Sequence, residues 1–135
     1  MSARDVVERY VKALQDGDLE ALRASFAPDA TWWLRGDLPV SGTYTGATEI
    51  LDGFLAAMVA RLDPAVPVTQ TLNHIVADEN MAVAEWTSHA RSVAGEPYDN
   101  DYAVVFEVRD DRITAVREYF DTAYAGRVLF PEVTS

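Results

Sequence analysis

From about residue 68 onward the sequence falls into four runs of strand character, roughly 68–76, 81–91, 99–107 and 112–121, separated by the turn segments DEN, AGEP and RDD. Turns this short join antiparallel neighbours, because a parallel return needs about a dozen residues or more. The second half of the chain therefore predicts an antiparallel meander. Such a sheet has to bury one face against something apolar.

The first half supplies the cover. Val6, Val7, Tyr10, Val11 and Leu14 recur at three- and four-residue steps, which predicts an amphipathic helix over 3–16, opened by the S-x-x-D pattern of Ser2 and Asp5 and stopped by Gly17. Asp18 can cap a second helix through about Phe26, ended by Pro28 and Asp29. ATWWL, residues 30–34, has strand composition, and RGDLPVSGTYTG after it reads as a loop. Ile50, Leu51, Phe54, Leu55, Met58 and Leu62 form the stripe of a third helix, with Thr45 as its cap and Asp63-Pro64 as its end. TAYAGRVLF predicts a short terminal helix or arm. Three helices followed by a curved antiparallel sheet is an α+β arrangement, expected as one domain over 1–135.

Composition narrows the chemistry. There is no cysteine among the 135 residues, which removes disulfides, thiolate nucleophiles and cysteine metal sites. With 22 acidic against 11 basic side chains the net charge of −11 repels phosphate backbones and acidic lipid. Neither nucleic acid nor a membrane is an expected partner. No apolar run approaches the roughly 18 residues of a span, and MSARDVVERY carries Asp5 and Glu8 where a signal peptide has a basic start. A cytoplasmic location is expected. The nucleophile elbow, the phosphate-binding loop and the dinucleotide fingerprint are all missing. Lys12, the single lysine, sits beside polar neighbours. His74 and His89 have no carboxylate at ligand spacing, so no metal and no cofactor are expected.

Alternation sorts the strands into faces. Asn100, Tyr102, Val104 and Phe106 form a set that faces inward. In 81–91 one set is Ala82, Ala84, Trp86, Ser88 and Ala90; the other, Val83, Glu85, Thr87, His89 and Arg91, taken alone is an ordinary solvent-facing edge. In the last strand both sets are mixed, which predicts packing on both faces and hence a homodimer. Glu118 lies between Val116 and Phe120 on an otherwise apolar face. Desolvation there would raise its pKa toward the range useful for proton transfer, whereas an ion pair with an arginine at the rim would lower it.

Three segments, DGDLEALRASFAPDATWW, the Gly-Thr-Tyr-Thr-Gly loop and PYDNDYAVVFEVRDDRITAVREYFD, resemble the SnoaL-like group of the nuclear transport factor 2-like (NTF2-like) superfamily over nearly the whole chain. The resemblance implies a cone-shaped fold, a curved sheet wrapped around helices with a pocket between them. Its members include polyketide cyclases, ketosteroid isomerases and limonene epoxide hydrolases, together with non-catalytic binding proteins. Carried across from the epoxide hydrolases, the functional pair of the long strand falls on Glu85 and Thr87, the terminal-strand acid on Glu118, and the first-strand pair on Trp33 and Arg35. Only the acid at Glu118 is kept in kind, so a water held between two carboxylates is not assembled the same way.

The resemblance further implies that Glu85, Thr87 and His89 point inward with Asn100, Tyr102, Val116, Glu118 and Phe120, and that Trp33 rather than Trp32 faces the pocket. The function expected on that basis is a cofactor-independent acid/base enzyme acting on a small apolar carbonyl or polycyclic compound, of isomerase, cyclase or hydrolase type. Glu118 would move the proton, Glu85 or His89 would act as the second group, and Asn100 and Tyr102 would orient the substrate or stabilise an oxyanion. The alternative is a binding protein in which the same pocket holds a hydrophobic small molecule and Glu118 pairs with Arg35 or Arg91.

Overall fold

The computed structural model describes residues 1–133. Helix α1, Ala3–Asp16, begins where Ser2 Oγ accepts from Asp5 N and Asp5 Oδ2 accepts from Ser2 N, and ends on Gly17 in the left-handed region. Val6, Val7, Tyr10 and Val11 face the core. Asp18 caps α2, Leu19–Ala24, through Ala21 N. This helix is shorter than its apolar spacing suggests, because Phe26 already opens strand β1, Phe26–Leu34.

The segment expected to be a plain loop contains a short strand, β2, Gly42–Thr45, paired antiparallel with β1. The third helical stretch then runs as α3, Gly46–Thr48, a π-helical segment, Glu49–Leu55, and α4, Ala56–Val59. Thr45 makes no side-chain cap; instead Glu49 Oε1 accepts from Thr45 N at 2.9 Å. The meander follows as β3, Thr69–Ala77, β4, Met81–Arg91, β5, Pro97–Arg109, and β6, Arg112–Phe120. Asp110 and Asp111 turn β5 into β6 with positive φ, the backbone that matches the twist of a tight hairpin. Asp121 caps the last helix, α5, Thr122–Leu129, through Tyr124 N.

The six strands form one sheet in the order β2-β1-β6-β5-β4-β3. One pair departs from the expected antiparallel pattern: β1 runs parallel to β6, with Trp32 opposite Val116 and Leu34 opposite Glu118. This pairing makes β6 a central strand. The apolar core lies between the helices and the inner face of the sheet, and includes Tyr10, Trp32, Phe54, Trp86, Val104 and Phe106.

Candidate active site

A cavity of about 430 Å³ lies between α1, the π-helical segment and the inner face of the sheet. The sequence builds its walls locally. Ile50, Leu51, Phe54 and Leu55 all line it from the widened π turn, a geometry that recurs at functional sites. Leu14 and Leu22 close the side formed by α1 and α2, and Trp86 stacks on Tyr102 with ring centroids 5.9 Å apart to form the floor.

Glu118 is the buried acid of this cavity. It is 5% exposed, and its one hydrogen-bond donor among the described residues is Trp32, whose Nε1 lies 3.1 Å from Oε1. Trp32 is held for this task by ring contacts to Tyr10, Phe26 and Phe54. Burial disfavours the charged carboxylate and lifts its pKa from 4.5 to about 7, with the indole N–H pulling the other way. Among the described residues no arginine pairs with it: Arg35 lies over the Trp33 ring, and Arg91 Nη1 donates to Gly95 O.

Beside Glu118 runs a relay of neutral donors. Asn100 Nδ2 donates to Tyr98 Oη at 2.9 Å, and Tyr98 Oη lies 2.8 Å from Tyr102 Oη. Where Tyr98 donates the hydrogen bond to Tyr102, the Tyr102 hydroxyl keeps its own O–H free to donate into the cavity. Burial, reinforced by the charge of Glu118, raises the pKa of Tyr10, Tyr98 and Tyr102, so all three are phenols at neutral pH. Tyr98 is fixed from behind by stacking on Tyr124 of α5.

The structure brings Glu118, Tyr102, Asn100 and Val116 to one face, and Phe120 packs on Tyr102 at 4.6 Å between centroids. It separates the other expected site residues from them. Glu85, Thr87 and His89 lie opposite Ala103, Asp101 and Asp99 of β5, so they share those residues' outer face and point away from the cavity. There Glu85 meets His74, Thr87 donates to Asp101, and His89 meets Asp99 at 2.8 Å. Trp33 and Arg35 are corrected in the same way: Trp33 pairs with Arg117 on the outer face, and Arg35 is exposed.

Tyr10, Trp32, Trp86, Tyr98, Ser88 and Gln70 line the cavity although sequence reasoning gave them no site role. The pairing of Trp86 with Tyr102 and of Ser88 with Asn100 was the available signal, since directly opposite residues share a face. Among the described residues no group of three His, Cys, Asp or Glu side chains is placed to hold a metal ion, and no helix is long and apolar enough to cross a membrane.

Helices packed on one face of a sheet around a cavity are the NTF2-like, cystatin-like arrangement, a class with many functions on one scaffold. Within it, this chain belongs to the SnoaL-like domain family, whose model matches residues 7–127. No curated protein matches the sequence significantly.

Solved structures agree on the fold. TerC co-crystallized with polyporic acid is 20% identical with a TM-score of 0.83, covering 95% of this chain and 98% of that one. A putative SnoaL-like polyketide cyclase from Jannaschia sp. CCS1 is 12% identical with a TM-score of 0.78, covering 94% and 90%. A protein with a ketosteroid isomerase-like fold from Catenulispora acidiphila DSM 44928, in complex with trimethylamine, is 19% identical with a TM-score of 0.75, covering 93% and 92%.

Proposed function

We propose that the protein is a cofactor-independent acid/base enzyme for a small, largely apolar carbonyl or polycyclic compound, of isomerase or cyclase type. The observation that carries this reading is Glu118: a buried carboxyl in an apolar cavity, without a cationic partner, whose pKa of about 7 suits both taking and returning a proton. Glu118 removes a proton from carbon next to the carbonyl, and the electron pair moves onto the carbonyl oxygen. The Tyr102 hydroxyl, backed by Tyr98 and Asn100, donates to that oxygen as charge develops. Glu118 then returns the proton to another carbon, or the enolate carbon attacks a second carbonyl carbon of the same molecule, whose π electrons move onto its oxygen, and that oxygen takes the proton from Glu118 as the ring closes.

The test needs no knowledge of the physiological substrate. Exchange of the α-protons of 2-tetralone in deuterium oxide, followed by proton NMR, should be accelerated by the protein and slowed at least about 100-fold by Glu118→Gln. Unchanged exchange in that variant removes Glu118 as the base. No acceleration by the wild type favours the second reading, a carrier of apolar small molecules, which the largely apolar lining of the same cavity supports.

We also propose that the protein pairs with a second copy of itself through the outer face. Val83 and Val105 sit opposite each other there, with Ala103 and Ala115 near them, all half-buried in the lone chain. The pair Arg117–Glu107 supplies both signs of charge for a self-complementary rim. Light scattering at micromolar concentration should give twice the chain mass, and a monomer overturns this part.

A further inference from the structure

Far from Glu118, the inner face carries a second polar point. Ser88 is 8% exposed and lines the cavity, and its hydroxyl has no hydrogen-bond partner among the described residues. Its neighbour across the β3–β4 ladder is Gln70, which also lines the cavity and whose buried Oε1 has no partner either. Buried polar atoms in native proteins are nearly always paired, so the orphaned Gln70 Oε1, with the unpartnered Ser88 hydroxyl beside it on the cavity wall, marks a place where something else completes them.

The chemistry of the pair defines what fits. A serine hydroxyl both donates and accepts, and a glutamine amide offers either its oxygen or its nitrogen by rotation about a soft last torsion. Together they match a hydroxyl, which also donates and accepts. An anion does not fit: no Lys, Arg or His lines the cavity, and Asp16 stands among its lining residues. The position sets a length. Ser88 pairs with Asn100 and Glu118 with Val104, four residues apart on β5, which is roughly 13 Å along the strand. Between these points lie Trp86 and Tyr102, flat surfaces suited to rings.

We infer that Ser88 and Gln70 form a specificity site that takes the hydroxyl group of an elongated, uncharged, ring-containing substrate whose other end reaches Glu118. The inference rests on the reading of the cavity as a small-molecule site and adds which molecules it selects. Ser88 and Gln70 are binding residues here and take no part in proton transfer.

Two rigid probes test it, trans-4-hydroxystilbene and trans-4,4′-dihydroxystilbene, with binding read from quenching of Trp32 and Trp86 fluorescence. The wild type should bind the diol about tenfold more tightly than the mono-ol, the gain expected of one well-made hydrogen-bonded contact. Ser88→Ala and Gln70→Leu should each reduce that preference to about threefold or less, and Ser88→Thr, which keeps a hydroxyl, should restore it. Cooperative thermal unfolding of each variant shows that it is folded. A wild type that binds both probes equally, or a preference that survives Ser88→Ala and Gln70→Leu, overturns the inference and leaves the small-molecule reading standing. If neither probe binds, the small-molecule reading itself falls and takes the inference with it.

Discussion

Trp32 and Glu118, 86 positions apart in sequence, meet in the interior through a single hydrogen bond of 3.1 Å from the indole Nε1 to the carboxylate Oε1. That bond favours the ionised acid while burial favours the neutral one, and burial dominates. Glu118 is left near the middle of its titration at neutral pH.

Trp32→Phe removes the donor and keeps most of the ring. A hydrogen bond to a charged group is worth about 1.5–3 kcal/mol, so its loss should shift the ionisation equilibrium of Glu118 by roughly tenfold or more toward the protonated form. The midpoint should move up from about 7. Carboxyl-resolved NMR of wild type and variant reads this directly; an unmoved or lowered midpoint would show that the indole does not support the anion.

The raised pKa also ties stability to pH. Folded Glu118 titrates near 7 and its unfolded reference is 4.5, so between these values the folded state holds more of the proton. Its contribution is fully present below pH 4.5 and is lost as pH rises through about 7. The span corresponds to about 3 kcal/mol. Urea unfolding across that range should show wild-type stability falling relative to Glu118→Gln, which lacks the titration. A difference that is constant with pH would rule out the raised value.

Tyr102→Phe should cost about 100-fold in the rate of α-proton exchange with little change in apparent affinity, the pattern of a donor that acts mainly on developing charge. Tyr98→Phe, one step back in the relay, should cost about tenfold. Equal affinity and rate in Tyr102→Phe and wild type would place the oxyanion donor elsewhere.

Glu85→Gln and His89→Ala act on the outer face. Exchange rates should stay within about twofold of wild type, and stability within about 0.5 kcal/mol. A loss of about tenfold or more in rate from either change would mean that the outer face communicates with the cavity.

The elements were legible where their signals are local. The Ser2–Asp5 box and Gly17 delimit α1, and alternation between turns gives β4 its bounds, Met81–Arg91. Alternation divides a strand into two sets but does not say which set lies inside. Residues alone favoured solvent for Glu85, Thr87 and His89, and likeness to the epoxide hydrolases turned them inward. The register of Glu85 against Ala103 returns them to the surface. Trp32 and Trp33 posed the same ambiguity, resolved by the parallel pairing of Trp32 with Val116. Glu118 stood out because its same-face neighbours two residues away, Val116 and Phe120, are apolar, a signal carried within one strand. The Ser88–Gln70 point was invisible because neither residue is unusual until the cavity places them side by side.

The strand order has a consequence for how the protein comes off the ribosome. Strand β6 lies between β1 and β5, so until residues 112–120 leave the exit tunnel the sheet of the nascent chain is in two pieces, the β1–β2 hairpin and the β3–β5 meander. Each has an open edge, and their apolar inner faces lack the shared partner that joins them. The acid of the pocket, Glu118, arrives only with β6. Trp32 meets Glu118 only when β6 has joined the two pieces, so closure of the sheet by its central strand creates the site in one step with the fold.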